Sequence, residues 1–222
     1  ELIVGNQSSQ NRAAPICPEY AVDWLPLEMN ELDKRPGDAF FITEEYKEEL
    51  VEIAKWWKGK VLWDRGRALM SQELRDLQDS AIIKATGNLT SGDAHIAVDF
   101  YKILSVGLSG YFEEINQYHK QVKRFEKDGI KKNHFYTALT ISIKAFQTFI
   151  RRYKDLALSI SKKEQNKLRE QELLLIANNC EVIAEKPPQN FYQALQLVYF
   201  VQLVLQIESN GHSVSLGRMD QY

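Results

Sequence analysis

Apolar residues recur at helical spacing along most of the chain. Ile42, Tyr46, Leu50, Val51, Ile53, Ala54 and Trp57 return near a 3.6-residue period, the pattern of an amphipathic helix. Thr43 stands where an N-cap belongs, Glu44 and Glu45 follow where the helix dipole favours carboxylates, and Gly59 stops the run. A second helix is predicted from Ser71 to Lys84, with Leu74, Leu77 and Ala81 on one face. Helical spacing resumes from about Asp99 to Lys127, bent or interrupted near Gly107 and Gly110, and Gly129 marks a turn. Phe135, Leu139, Ile143, Phe146, Ile150, Tyr153, Ala157 and Ile160 then form the stripe of a long helix. Ser161 and Glu164 have the spacing of a capping box. The helix it would open carries Leu168, Leu175, Ile176, Cys180 and Ile183, and Pro187 and Pro188 end it. Asn190 can cap a last helix, about 191–207, with Gln193 at the box position. That helix is apolar on nearly every face, which predicts burial inside a larger body.

Three stretches depart from this period. Residues 1–20 read as extended, with Leu2, Ile3 and Val4 as a short strand. Residues 85–98, "ATGNLTSGDAHIAV", concentrate Gly, Asn, Ser and Thr and read as a loop. "HSVSL", 212–216, alternates polar and apolar positions like a second short strand. The expected class is mainly α, with one or two short strands.

Composition narrows the functions. The 222 residues are 44% hydrophobic, enough for a sizeable core, so global disorder is not expected. With 28 Lys and Arg against 30 Asp and Glu the net charge is −2, which argues against a protein held by nucleic-acid phosphates. Two cysteines exclude a disulfide-dense secreted scaffold and a four-cysteine zinc site. The longest apolar stretch, Ala194 to Ile207, is 14 residues and is interrupted by three glutamines. A spanning helix needs about 20 apolar residues, so no membrane is expected. There is no basic-then-apolar start of a secretory signal.

Candidate chemistry gathers in two places. His95 lies in the glycine-rich loop beside Asp93, with Asp99 four residues on. After the apolar helix come Glu208, Ser209, Asn210, His212, Ser213, Arg218 and Asp220. Polar groups at the end of a buried element are either hydrogen-bonded structure or a site, and spacing alone leaves both open. Arg218 and Asp220 are expected to hold their own loop. His119 and His134 sit on highly polar helices and read as solvated. Nothing has metal-ligand spacing, so no metal is expected. Ser213 beside His212 does not make a triad, because adjacent strand residues face opposite sides. Neither a nucleophile elbow nor a phosphate-cradling glycine motif occurs. Lys58, Lys60, Arg65 and Arg67 beside Trp56, Trp57 and Trp63 are interrupted by acids. They read as a core-facing tryptophan cluster under a solvated face.

The segments "ELIVGN", "RPGDAFFITEE" and "GDAHIAVDFYKILSVGL", followed by the run from "ANNCEVIAEKPP" to "NGHSVSLGRMDQY", together resemble the glycyl radical enzymes. The resemblance is to the pyruvate formate-lyase-like domain, on the branch of glycerol and propanediol dehydratases. It covers essentially all 222 residues, and its last segment is the most specific. It implies an N-terminal, mainly helical portion of a β/α barrel, a partial domain over 1–222 incomplete at both ends. It implies a protein-derived glycyl radical outside this segment, installed by a radical-SAM activating enzyme, and a thiyl cysteine that is neither Cys17 nor Cys180. By motif position, His95, His212 and Ser213 would bind substrate hydroxyls, and Asp93 and Asp99 are candidates to line that pocket. One departure stands out: Asp93 and Ala94 precede His95 where the dehydratases place a glycine directly before the histidine.

The implied activity is radical elimination of water from a small diol or polyol, by a cytoplasmic protein that is a homodimer when full length. Formate acetyltransferase or another C–C, C–N or C–S radical lyase of the family is the alternative within the class. A helical interaction module without chemistry is the alternative outside it. A downstream Cys-x-Glu would mark an eliminase, and a Cys-Cys pair an acetyltransferase.

Overall fold

The computed structural model describes residues 2–8, 20–84, 96–123, 125–209 and 213–222. The described residues form eight α-helices: α1 (Leu25–Glu28), α2 (Glu44–Trp57), α3 (Leu62–Ala68), α4 (Gln72–Asp79), α5 (Phe100–Gln121), α6 (Gly129–Ser161), α7 (Lys167–Ile183) and α8 (Phe191–Ser209). The chain divides into two compact units. One comprises Glu1–Asn11, Ile96–Val204 and Ser215–Tyr222, the other Arg12–His95 and Leu205–Val214. The mainly α expectation holds.

In the smaller unit side chains cap α2 and α4. Thr43 accepts from the Tyr46 amide, as the sequence predicts, and Ser71, predicted only as a helix start, accepts from the Leu74 amide. Both caps satisfy an amide that a helix start leaves without a partner. α4 ends at Asp79, five residues short of the prediction, because Ala81 turns to φ 58°. Two helices escaped the sequence reading. α1 is a single turn started by Pro26, and α3 carries Gly66 and no apolar stripe. The tryptophans also differ from expectation. Trp56 is 58% exposed and carries the Lys60 ammonium 3.5 Å over its ring. Lys60 replaces water on that face by cation–π attraction, so the ring needs no core.

In the larger unit α7 packs along α6, and α6 along α5. Ile150 and Ala157 of α6, Ile176, Cys180 and Ile183 of α7, and Leu197 and Phe200 of α8 are buried. Phe200 sits edge-on to Phe149 at 5.7 Å and 5.2 Å from Tyr153, spacing that favours aromatic pairs. The ends of the predicted α6 stripe are exposed, at Phe135 and Ile160. Ser161 opens no capping box. It closes α6, its hydroxyl donating back to the Leu158 carbonyl. Asn166 caps α7 instead, accepting from Leu168 and Arg169. The α7 stripe shifts accordingly. Leu168 and Leu175 are exposed, and Leu173 and Ala177 are buried.

Asn190 caps α8 through the Gln193 amide, but the Gln193 side chain accepts from Gln189 rather than from Asn190. α8 is not buried on all sides, since Phe191, Tyr192 and Tyr199 are exposed while Gln193 and Gln196 are buried. The inversion has a cause. Gln193 donates to Asn179, and Gln196 binds the backbone of Val4 twice, accepting at 2.8 Å and donating at 2.7 Å. Residues 2–4 therefore form no strand, because one glutamine amide takes the place of a neighbouring strand.

Cys180 has no exposed surface, and burial pushes its thiol up to about 12. A folded-state value above the unfolded one adds stability that is present below about pH 9 and lost as pH rises through the folded value. At pH 8 the native protein is expected to leave Cys180 unlabelled by iodoacetamide, with labelling appearing only in denaturant. Mass spectrometry of the peptide carrying Cys180 reads this directly, and fast native labelling would contradict the packing.

Candidate functional site

The two polar segments of the sequence flank residues at which the larger unit is tied together. Asp99 is the N-cap of α5, its Oδ1 accepting from the Lys102 amide at 2.9 Å. Lys102 in turn reaches Glu114 at 2.7 Å, which raises the lysine above its ordinary pKa. Ahead of the cap, Ala97 forms a parallel bridge with Ser215, and the Ser215 amide donates to the Ile96 carbonyl at 2.8 Å. This bridge is what the described part of the predicted 212–216 strand amounts to.

Residues 215–222 close on themselves. The Gly217 amide donates to Ser215 Oγ at 3.0 Å, and the Arg218 amide to the Tyr222 hydroxyl at 3.2 Å. Gly217 has φ 62°, and a Cβ there would lie 2.7 Å from the Tyr222 hydroxyl, so a side chain would bear a strained backbone and push the Tyr222 ring aside. Arg218 holds Asp220 through two nitrogens, Nε at 3.1 Å and Nη2 at 2.9 Å. The pairing lowers the Asp220 carboxyl below its ordinary pKa and raises Arg218. Both charges are exposed and spent on each other within one turn.

Of the residues proposed from sequence, Asp93, His95 and His212 lie outside the described residues. Ser213 is described. It is exposed, with φ 55°, a left-handed conformation uncommon for a side-chain-bearing residue. His119 is hydrogen-bonded at 2.8 Å to Asn133 and stacks on Tyr136. His134 is exposed. Among the described residues no group of three or more His, Cys, Asp or Glu side chains is placed to hold a metal ion. No described helix is long and apolar enough to cross a membrane.

One concave feature was not foreseen. An open cleft of about 690 Å³ in the smaller unit is lined by Lys58, Trp63, Arg67, Arg75, Asp23 and Asp79, among others. Arg67 grips Asp79 at 2.7 and 2.8 Å and reaches Gln78 at 3.0 Å. The lining cations Lys58, Arg67 and Arg75 are matched by Asp23, Asp64 and Asp79. No sequence signal marks the cleft, because Arg67 and Asp79 fall on different helices.

The chain belongs to the pyruvate formate lyase-like family, whose model matches residues 1–222. It is 47% identical to the probable dehydratase YbiW of Escherichia coli K12, over all of this chain and 27% of that protein. It is 35% identical to the (2S)-3-sulfopropanediol dehydratase of Klebsiella oxytoca, over all of this chain and 28% of that one. Among solved structures it matches the glycerol-bound form of the B12-independent glycerol dehydratase from Clostridium butyricum. That match has a TM-score of 0.87 and 35% identity, covering all of this chain and 28% of the other. The chain thus spans little more than a quarter of the relatives it matches.

Proposed function

We propose that this chain is part of a glycyl radical dehydratase that eliminates water from a small diol or polyol. The observation that carries the reading is full coverage of the chain, at 47% and 35% identity, by proteins named as dehydratases. On this reading the chain is one piece of a catalytic domain that extends beyond it at both ends. A protein-derived glycyl radical, carried elsewhere in the full-length protein and installed by a radical-SAM activating enzyme, supplies the hydrogen-atom chemistry. The full-length protein is a cytoplasmic homodimer. The alternative within the family, formate acetyltransfer or another C–C, C–N or C–S radical lyase, is not what the proteins at 47% and 35% identity are named as.

In this reading His95, His212 and Ser213 take the substrate hydroxyls. A neutral imidazole donates at one nitrogen and accepts at the other, and a serine hydroxyl does both. Together they can orient a diol and assist departure of the leaving hydroxyl, which needs a hydrogen bond or a proton. Asp93 adds a carboxylate beside His95 in sequence, where it would favour a substrate bearing a donor or a positive charge. Chain connectivity supports the grouping. His95 precedes Ala97 by two residues, Ser213 precedes Ser215 by two, and Ala97 and Ser215 are bridged.

The test uses the full-length protein, activated anaerobically, with radical content measured by electron paramagnetic resonance and with glycerol and propane-1,2-diol as probes. His95→Ala and His212→Ala are each expected to lower turnover about 10- to 100-fold, because a substrate hydroxyl left unpaired in a buried site is costly. His119→Ala is expected to stay within about twofold of the parent. Parent-like turnover in both active-site variants would sink the assignment, and aldehyde formation from neither probe by the fully radical-loaded parent would remove the diol substrate class.

A further inference from the structure

The connection between α5 and α6 carries charge of the opposite sign to the chain as a whole. Between positions 118 and 135, Lys120, Lys123, Arg124, Lys127, Lys131 and Lys132 stand against only Glu126 and Asp128, in a chain whose net charge is −2. Both acids are spent locally. Lys132 Nζ reaches Glu126 at 2.9 Å, and Lys131 Nζ lies 3.6 Å from Asp128. Lys120, Lys123 and Lys127 are exposed, and no ion pair holds them among the described residues. Between Lys123 and Lys127 stands Phe125, 97% exposed, with Ile130 following at 60%. A phenylalanine exposed to that degree has almost no protein packed around it, so the tip of the α5–α6 hairpin projects. A lone exposed apolar residue is ordinary. One set among three unpaired lysines on a projecting tip has the chemistry of a surface-binding segment, an apolar anchor beside a basic face.

We propose that this tip docks on the anionic face of a lipid bilayer. Phe125 enters the boundary between headgroups and acyl chains, and Lys120, Lys123 and Lys127 meet acidic headgroups. Attachment of this kind needs no spanning helix and no basic chain-wide balance. Two other anionic partners fit less well. Single-stranded nucleic acid is held in a groove where several rings stack on successive bases, whereas Phe125 projects alone. Protein interfaces enrich arginine and deplete lysine, and five of the six cations here are lysine. Lysine suits headgroups because it is a point charge on a long flexible stem. Such docking sets where the full-length protein sits and is independent of the reaction it catalyses.

The test sediments the full-length protein with phosphatidylcholine vesicles containing about 30% phosphatidylglycerol, at about 0.1 M NaCl. The parent is expected to partition onto them at least about 10-fold more strongly than onto pure phosphatidylcholine. Most of that preference should disappear at about 0.5 M NaCl, where screening shortens the reach of charge. Replacing two lysines, Lys123→Gln with Lys127→Gln, is expected to weaken partition about 10- to 30-fold, since each lysine near an anionic surface contributes about a factor of five. Phe125→Ser is expected to weaken it about five- to tenfold by removing the inserted ring. Lys162→Gln with Lys163→Gln is the control. It removes equal charge from exposed positions just past Ser161, at the far end of the 33-residue α6, about 50 Å from the tip by helix rise. Its partition is expected to stay within about twofold of the parent.

A parent that does not prefer the anionic vesicles would overturn the proposal. Equal losses from the two lysine pairs would do the same, because the effect would then be one of net charge and not of the tip. If vesicles are ignored but single-stranded DNA or polyglutamate is bound, the tip belongs to a nucleic acid or to an acidic protein and the bilayer reading falls. Loss of vesicle binding on adding millimolar inorganic phosphate at constant ionic strength would assign the lysines to a soluble anion instead.

Discussion

Gly107→Ala is expected to destabilise the protein by about 3–5 kcal/mol, the upper range for a single substitution. Gly107 sits inside α5 with φ 67° and ψ −179°, a conformation outside every helix. A side chain there carries the strain of a sparsely allowed backbone, about 1–3 kcal/mol. A Cβ would also lie 2.5 Å from the carbonyl carbon of Lys186, 2.6 Å from the Pro187 nitrogen and 2.8 Å from the Glu185 oxygen. These are backbone atoms and cannot rotate away. They are held where they are because the Ser109 amide donates to the Glu185 carbonyl at 2.8 Å, while Arg151 pairs with the Glu185 carboxylate. Two other glycines separate the causes. Gly59 has φ 77° with nothing within 4 Å of a Cβ, and Gly37 has neither a positive φ nor a neighbour. The order of melting temperatures in the full-length protein should be Gly37→Ala near the parent, Gly59→Ala slightly lower and Gly107→Ala far lower or insoluble. A Gly107→Ala protein that melts with the parent would mean that α5 does not break there.

Gln196→Leu should cost about 2–4 kcal/mol, although leucine is the more hydrophobic residue and nearly fits the space. Gln196 is 2% exposed and meets Val4 with both halves of its amide. Leucine leaves the Val4 N–H and C=O without partners, each at the desolvation cost of a polar group, about 1–3 kcal/mol. Gln196→Glu is the sharper probe. The carboxylate still accepts from the Val4 amide but presents an oxygen to the Val4 carbonyl, so it must bind a proton to restore the second bond. Stability of the glutamate variant should therefore improve as pH falls from 7 toward 5, where leucine shows no such change. The same loss should appear as faster amide exchange in residues 2–8, whose other ties include Asn6 to the Tyr153 hydroxyl and Gly5 to Tyr199. Leu and Glu variants as stable as the parent would show that the N-terminal segment does not depend on this clamp.

Elements carried by nearest neighbours were legible in the sequence. The Thr43 cap, the helix start at Ser71, the break at Gly107 and the stop before Pro187 each need only a few consecutive residues, and each was placed. Where two local signals competed, reading failed. Ser161 and Glu164 satisfy the spacing of a capping box, yet Asn166 wins because α6 continues through Ser161, whose hydroxyl turns back to Leu158. α3 went unseen because Gly66 and its charges mask a helix that needs no stripe when it buries no residue. The trio proposed to bind substrate was never legible from spacing. His95 and His212 stand 117 residues apart, and only resemblance to a family grouped them.

The sequence alone determined the class of fold, the starts of α2, α4, α5 and α8 and the family, because periodicity, caps and motif order are written within a few residues of one another. Tertiary structure decided what those elements meet. It made Gln196 a partner for Val4 rather than a polar interruption in a buried helix. It exposed Trp56 under Lys60 where burial was expected. It also set Ala97 beside Ser215 and Phe100 beside Tyr222. Local propensity fixes backbone torsions one residue at a time, whereas a long-range contact forms only where the packing it completes exceeds the entropy of closing the chain between its ends.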